Sequence, residues 1–138
     1  MRTIKVPTRE EYDNYDGAHC RTLYRQLGTA WSCPSCQRTR YQCMRWTTLF
    51  PNKPHLRREG WALGLHRHHD HGAPPRFDVT PICEQCNAAD GYAKRALHLP
   101  VNWSFSPHEI GRFVTPTPHG WHAINLNIAE TIFNEHYR

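Results

Sequence analysis

The chain reads Cys-Pro-Ser-Cys at residues 33–36, Leu-His-Arg-His-His-Asp-His at residues 65–71 and Ile-Cys-Glu-Gln-Cys-Asn at residues 82–87. Two Cys-x-x-Cys pairs thus bracket the histidine run, and an asparagine directly follows the last cysteine. Four thiolates can close a tetrahedral zinc site, whereas adjacent histidines with an amide oxygen suit a separate, open site for another ion. These stretches predict one ion that builds the fold and a second that takes part in chemistry.

The cysteines could also form disulfides, which are typical of secreted chains. Four of them, however, occur in spacings that suit one metal ion better than bridges. These four are Cys33, Cys36, Cys83 and Cys86. Residues 1–7 lack the apolar run of a signal peptide, and no stretch approaches the roughly 20 apolar residues of a membrane helix. We expect structural zinc, free thiols at Cys20 and Cys43, no membrane contact, and a cytoplasmic protein of a bacterium or phage.

The chain has 138 residues, which is the length of a single domain with a modest core. Its hydrophobic fraction is 38% and its mean hydropathy is −0.77. Apolar burial alone therefore looks thin, and a structural metal is the usual addition in a small scaffold of this kind.

The formal net charge is +5, and positive charge is concentrated between residues 38 and 67, where Glu59 is the one acid. A planar guanidinium donates two parallel hydrogen bonds to phosphate, so this segment is typical of a nucleic-acid interface. A solvated face that serves solubility has a similar composition. The predicted phosphate contacts are Arg38, Arg40, Arg45, Arg57, Arg58 and Arg67.

Local signals predict an α+β chain in three parts: an N-terminal helical extension (1–30), a core (33–97) and a C-terminal helical extension (98–138). Thr8 with Glu11, and Ser106 with Glu109, have the spacing of capping boxes at helix starts. In the core we expect strands over 61–66 and 77–82 and a helix over 84–97.

Other segments are less regular. Residues 39–50 fit either a strand or a short helix, and prolines and glycine predict a loop over 50–61. A last helix is expected over 123–136. Its inward residues would be Ile124, Ile128, Ile132 and Phe133.

The cysteine pairs, the histidine run and the asparagine together resemble the HNH, or His-Me finger, nuclease superfamily. In particular they are similar to its zinc-containing branch, typified by phage recombination endonuclease VII. In that branch the first strand carries Asp-His and the helix opens with Cys-x-x-Cys-Asn. The likeness covers roughly residues 33–97. It implies a small zinc-stabilised ββα-metal core with flanking N- and C-terminal helices.

The resemblance places the general base at His69 and the ligands of a catalytic divalent ion at His68 and Asn87. A neutral histidine suits the base because it accepts a proton near neutral pH. His68 stands where the branch has aspartate, which weakens Mg²⁺ and favours Mn²⁺, Co²⁺ or Ni²⁺. The implied activity is hydrolysis of phosphodiester bonds in DNA, leaving 5′-phosphate and 3′-hydroxyl ends.

Supporting roles are also implied. Asp78 stands near the family's loop-bracing asparagine, and a turn or cap role is equally open. Asp70 and His71 are expected in loop structure or hydrogen bonds to the site, and His66 as an extra ligand or a structural histidine. Lys94 is expected to contact phosphate or to offset the helix dipole. The histidines at 108, 119, 122 and 136 are expected to be surface or cap residues.

The alternative function is a non-catalytic zinc-knuckle protein that binds nucleic acid through its basic segment. Asn87 argues against it, because a pure knuckle gains nothing from that amide. A zinc deaminase also has Pro-Cys-x-x-Cys, but it needs an upstream His-x-Glu or Cys-x-Glu that this chain lacks. The expected partner is duplex or branched DNA, with RNA left open, and the chain is expected to act as a monomer or homodimer.

Overall fold

The computed structural model describes residues 3–136; residues 1–2 and 137–138, at the outer ends of the two predicted extensions, lie outside that range. The predicted α+β class is confirmed. The helices are α1 (Arg9–Asp13), α2 (Arg21–Leu27), α3 (Arg40–Cys43), α4 (Glu84–Ala96), α5 (Pro107–Phe113) and α6 (Leu126–His136). Within this range, no helix combines the length and the apolar character that a membrane crossing requires.

The strands pair into two-stranded antiparallel sheets. The pairs are β1 (Arg45–Leu49) with β2 (Arg58–Ala62), β3 (Leu65–His68) with β4 (Thr80–Cys83), and β5 (Val114–Thr115) with β6 (Ala123–Ile124). In the central hairpin, Leu65 lies opposite Cys83 and His68 lies opposite Thr80. Because α4 starts directly after β4, this hairpin and helix form one continuous unit around the histidine run.

Both predicted capping boxes are confirmed. The Thr8 side chain accepts from the Glu11 backbone N–H while the Glu11 side chain accepts from the Thr8 N–H, and Ser106 and Glu109 do the same at α5. Each box satisfies two N–H groups that a helix end otherwise leaves without partners. These starts depend on neighbours three residues apart, which is why the sequence predicts them well.

The predicted strand over 61–66 is wrong as a single element, because β2 ends at Ala62 and β3 starts at Leu65. The break lies at Gly64, whose carbonyl accepts from the Glu84 N–H and where a Cβ would overlap the Glu84 side chain. The predicted loop over 50–61 is shorter, since β2 begins at Arg58. The strand expected from residue 77 begins at Thr80. Residues 39–50 contain both predicted alternatives, α3 and then β1.

The core lies where α4 packs on the β3–β4 hairpin and where α5 and α6 pack on α4 and on each other. Phe105, Phe113 and Ile82 are fully buried there, and the first two rings meet edge to face at 4.9 Å between centroids. Burial of each such side chain contributes about 1.5–3 kcal/mol. In α6, Ile132 points inward as predicted, but Ile128 is 38% exposed and Ala129 takes the inward position. The helix starts at Leu126 and not at residue 123, so Ile124 lies on the short strand before it.

Candidate metal centre and active site

Four cysteines converge on one buried point, and this confirms that a single cluster unites the two Cys-x-x-Cys pairs. The turn at 33–36 supplies two of them, the end of β4 the third and the first turn of α4 the fourth. Their Sγ atoms all lie within 4.8 Å of one another. The separations are 3.8 Å for Cys33–Cys86 and 3.9 Å for Cys36–Cys83. Tetrahedral zinc with Zn–S bonds of about 2.3 Å requires sulfurs about 3.8 Å apart, so the cluster could hold an ion such as zinc.

The turn that carries the first pair is closed by its own backbone. Cys33 N–H donates to the Arg38 carbonyl, and Gln37 N–H donates to the Cys33 carbonyl. Cys83 N–H donates to the Cys33 Sγ at 3.4 Å. Hydrogen bonding within the cluster, first from the Cys33 thiol, holds the pKa of Cys36 and of Cys83 well below its usual range. The same hydrogen bonding raises the pKa of Cys33 and of Cys86, so Cys36 and Cys83 are the two cysteines at which the cluster favours the thiolate. A lowered pKa favours the thiolate, which is the form that binds metal. All six cysteines are free of disulfides.

Arg38 is part of this cluster and not of an exposed basic surface. Its side chain is 3% exposed, and its guanidinium donates to the Sγ atoms of Cys36 (3.3 Å) and Cys83 (3.4 Å). The prediction that Arg38 contacts phosphate is therefore wrong. Its positive charge offsets the negative charge that four thiolates bring to a buried site.

The predicted phosphate contact of Arg40 is also wrong, for a different reason. It is 6% exposed, and it donates from Nε to the Tyr12 hydroxyl (2.9 Å) and from Nη1 to the Tyr24 carbonyl (3.0 Å). Its guanidinium carbon lies 3.8 Å from the centroid of the Tyr24 ring. Arg40 thus ties the first two helices to α3 and is unavailable to a ligand.

His122 is a neighbour of the cluster that sequence spacing does not reveal. Its Nε2 lies 3.2 Å from the Cys86 Sγ, and its backbone N–H donates to Gln85 Oε1 at 2.8 Å. Burial lowers the pKa of His122, but interaction with the Cys36 and Cys83 sulfurs of the cluster outweighs that effect and raises it. The expectation of a surface residue is wrong here and also for His119, which is 6% exposed with Nδ1 2.9 Å from the Met44 carbonyl.

His68, at the end of β3, is buried and fixed. It is 4% exposed, its ring stacks on Phe77, and its Nε2 lies 2.6 Å from the Phe105 carbonyl oxygen. Because a carbonyl can only accept, Nε2 carries the proton and Nδ1 keeps its lone pair. Metal-binding histidines use the same arrangement, in which the second ring N–H is held by an outer acceptor.

The peptide of Phe105 also links the strand to the helix. Its N–H donates to Asp90 Oδ1 at 2.8 Å, and Asp90 forms an ion pair with Lys94 at 3.0 Å. Lys94 also donates to the Ser104 hydroxyl at 3.1 Å. Both Lys94 contacts are intramolecular, so this lysine is engaged in holding the helix to residues 104–105. Asn87 lies on the first turn of α4 and is partly exposed.

His69 differs from His68 in being exposed. Its Nδ1 lies 3.3 Å from the Arg67 carbonyl oxygen, and its ring meets that of exposed His71 edge to face, 4.6 Å between centroids. A proton on Nδ1 donated to that carbonyl leaves Nε2 free to accept one from solvent. An exposed imidazole nitrogen with a free lone pair is one of the features that a general base needs.

The loop after the histidine run is braced by Asp70. The Asp70 Oδ2 accepts from the backbone N–H groups of Arg76 (2.9 Å) and Gly72 (3.3 Å), and the residue is 7% exposed. Asp78, for which a bracing role and a turn or cap role are equally open in the sequence, is exposed, and its carbonyl accepts from the Thr80 hydroxyl.

The remaining predicted phosphate contacts face solvent to different degrees. Arg57 and Arg58 are exposed in and beside the β1–β2 loop, and exposed Arg67 donates to Gln26 Oε1 at 2.8 Å. Arg45 is partly buried and lies 3.5 Å from the Glu84 carboxylate. His66 is exposed on β3.

No protein-family model, curated protein or solved structure matches this chain. Fold and site therefore define it as an α+β protein with a buried four-cysteine cluster beside an antiparallel hairpin rich in histidine.

Proposed function

We propose that this chain is a metal-dependent endonuclease of the HNH type, with His69 as general base. The observation that carries the proposal is the pair of adjacent histidines at the end of β3. One is buried with its Nε2 at a carbonyl, and the other is exposed with its Nδ1 at a carbonyl. That contrast supports a ligand next to a base, since a ligand must be fixed and a base must reach solvent.

In the proposed reaction, His69 Nε2 takes a proton from the water that attacks a phosphodiester. His68 Nδ1 and the Asn87 amide oxygen would hold the divalent ion, and both are donors that Mn²⁺ accepts. Bound there, the ion would stabilise charge on the phosphate and on the leaving 3′ oxygen. The carbonyls of Arg67 and Phe105 keep the two rings oriented. The products would be 5′-phosphate and 3′-hydroxyl ends.

We assign the four-cysteine cluster to structural zinc. Four thiolates fill a tetrahedral coordination sphere and leave no position for water. The cluster joins the turn at 33–36 to β4 and α4, which carry the proposed site. Its contribution to activity is therefore to hold the hairpin and the helix in place.

The test is nicking or linearisation of supercoiled plasmid by zinc-loaded protein, with and without added magnesium or manganese. Metal is omitted and not chelated, so that zinc stays bound. The variants are His69→Ala and, as a matched control, His108→Ala, which changes an exposed histidine of α5. We expect cleavage by wild type and control with added metal, and loss of at least about 100-fold in His69→Ala. Full cleavage by His69→Ala would refute the mechanism.

The competing function is a zinc protein that binds nucleic acid without cutting it. The exposed Arg57 and Arg58 favour this possibility. A folded, zinc-loaded wild type that retains plasmid and branched DNA but cleaves neither with any added metal would support it over the nuclease.

A further inference from the structure

A groove lies between the β1–β2 hairpin and residues 15–21, and one end of it reaches β3. Its inner part is a cavity of about 360 Å³ that reaches Arg45, His66 and Glu84. Its outer part is a cavity of about 560 Å³ that reaches Arg21, Arg58 and Trp61. The residues that line both parts are Tyr15, Ala18, His19, Leu49 and Phe50. We call the two parts together the hairpin groove. Each part has the size of a ligand site.

Positive charge predominates in the hairpin groove. Three arginines line it, against one carboxylate, Glu84, which is engaged with Arg45 at 3.5 Å. Arg21 is paired with exposed Asp16 at 2.8 Å, whereas among residues 3–136 Arg58 donates to the Leu56 carbonyl of its own loop and forms no ion pair. A groove lined by guanidinium groups favours a phosphate-bearing ligand over a neutral or cationic ligand.

Phe50 lies where the two parts of the groove meet. Its φ angle is +50°, a left-handed conformation that is rare and strained for a bulky side chain. Its ring meets the His19 ring at 4.7 Å, and the Arg58 guanidinium carbon lies 5.6 Å from its centroid. The ring is partly exposed. The strained backbone thus presents an aromatic ring, with the Arg58 guanidinium beside it, to the open groove.

We propose that the hairpin groove binds an unpaired strand of nucleic acid, with a base stacked on Phe50 and phosphates held by Arg45 and Arg58. Proteins that bind single strands combine a basic groove with aromatic stacking platforms in this way. His66 lines the inner part and lies three residues before His69. If the chain is the proposed nuclease, the consequence is that its substrate carries an unpaired segment leading to His69. This consequence rests on the proposed function, whereas binding in the groove does not.

Binding is measured by fluorescence anisotropy of a short labelled oligonucleotide, as single-stranded DNA, single-stranded RNA and duplex DNA of the same sequence. The protein is the full zinc-loaded chain with His69→Ala, without added magnesium or manganese. Phe50→Leu removes the aromatic ring, and Phe50→Tyr keeps it at the same backbone position. We expect Phe50→Leu to weaken single-strand binding by about 5-fold to 100-fold, the loss of one stacked base, and Phe50→Tyr to bind like Phe50.

A second variant measures the phosphate contact. Arg58→Gln should reduce the slope of log affinity against log salt for the single strand by about 0.7, the value for one phosphate. Arg112→Gln is the matched control, because Arg112 is an exposed arginine of α5 outside the groove, and its slope should not change. If Phe50→Leu does not fold, this measurement still tests whether the hairpin groove binds the single strand.

The inference would be overturned by no binding of single strands, by a Phe50→Leu protein that binds them no more weakly than Phe50→Tyr, by an unchanged salt slope in Arg58→Gln, or by stronger binding of duplex than of single strand. The test is independent of cleavage, since the protein already lacks His69. Plasmid cleavage by wild type together with unaltered binding by Phe50→Leu would reject the groove and leave the nuclease standing. Single-strand binding that depends on Phe50, without any cleavage by wild type, would support the groove and reject the nuclease.

Discussion

Gly111 and Gly91 both lie inside helices, yet alanine should have opposite effects at the two positions. A Cβ on Gly91, in α4, would meet the end of the flexible Arg95 side chain at 3.1 Å. A Cβ on Gly111, in α5, would overlap the carbonyl oxygen of Ser35 and lie 3.3 Å from its carbon. Ser35 belongs to the turn between Cys33 and Cys36, so α5 packs directly against the four-cysteine cluster.

The magnitudes follow from two effects. Replacing glycine by alanine within a helix stabilises it by up to about 1 kcal/mol. Gly91→Ala should gain most of this, because Arg95 can move aside. Gly111→Ala must also displace a main-chain carbonyl, and overpacking of that kind costs about 1–3 kcal/mol. Since backbone yields less than a side chain, we expect the upper end, so the two variants should differ by about 3 kcal/mol.

The assay is urea unfolding of wild type and both variants, with zinc release followed by a chromogenic chelator. Gly111→Ala should have the lower midpoint and release zinc faster, because displacement of Ser35 disturbs Cys33 and Cys36. A Gly111→Ala protein as stable as Gly91→Ala, with equal zinc retention, would refute the close packing of α5 on the turn.

Three further outcomes are expected. Hydrogen bonds from Arg76, the Ser106 backbone and the neighbouring His136 lower the pKa of Glu109 despite its burial. Glu109 therefore stabilises the fold at pH values above its unfolded-state pKa near 4.5. This stabilisation is lost as the pH falls through the lower pKa of the folded state. Glu109→Gln should cost about 2 kcal/mol at pH 7 by urea unfolding and progressively less below pH 4.5; a cost that stays constant with pH would contradict this. Cys83→Ser should lose zinc and near-ultraviolet circular dichroism together, and a folded, zinc-free protein would count against a structural site. Arg38→Gln should leave nucleic-acid binding unchanged and speed zinc release, whereas weaker binding with normal zinc retention would restore Arg38 to a nucleic-acid surface.

The sequence alone determined the features that depend on near neighbours. The capping boxes at Thr8 and Ser106, the start of α4 at Glu84 and the tight turn at 33–36 are each specified by residues within four positions. The paired Cys-x-x-Cys spacing also predicted the cluster, because each pair presents two thiols close together and one shared ion suits all four. A break at Gly64 was missed, since its cause is the side chain of Glu84, which is 20 residues away.

Only the tertiary structure decided which charged and imidazole groups are buried. Arg38 and Arg40 lie in the same basic stretch as exposed Arg57, yet the first two are enclosed by thiols and tyrosines from distant segments. His122 reaches Cys86 from 36 residues further along the chain. His68 and His69 are neighbours in sequence, but packing of Phe105 buries one and leaves the other in solvent. Burial is set by contacts between distant segments, and residue spacing carries information only about groups on the same turn or strand.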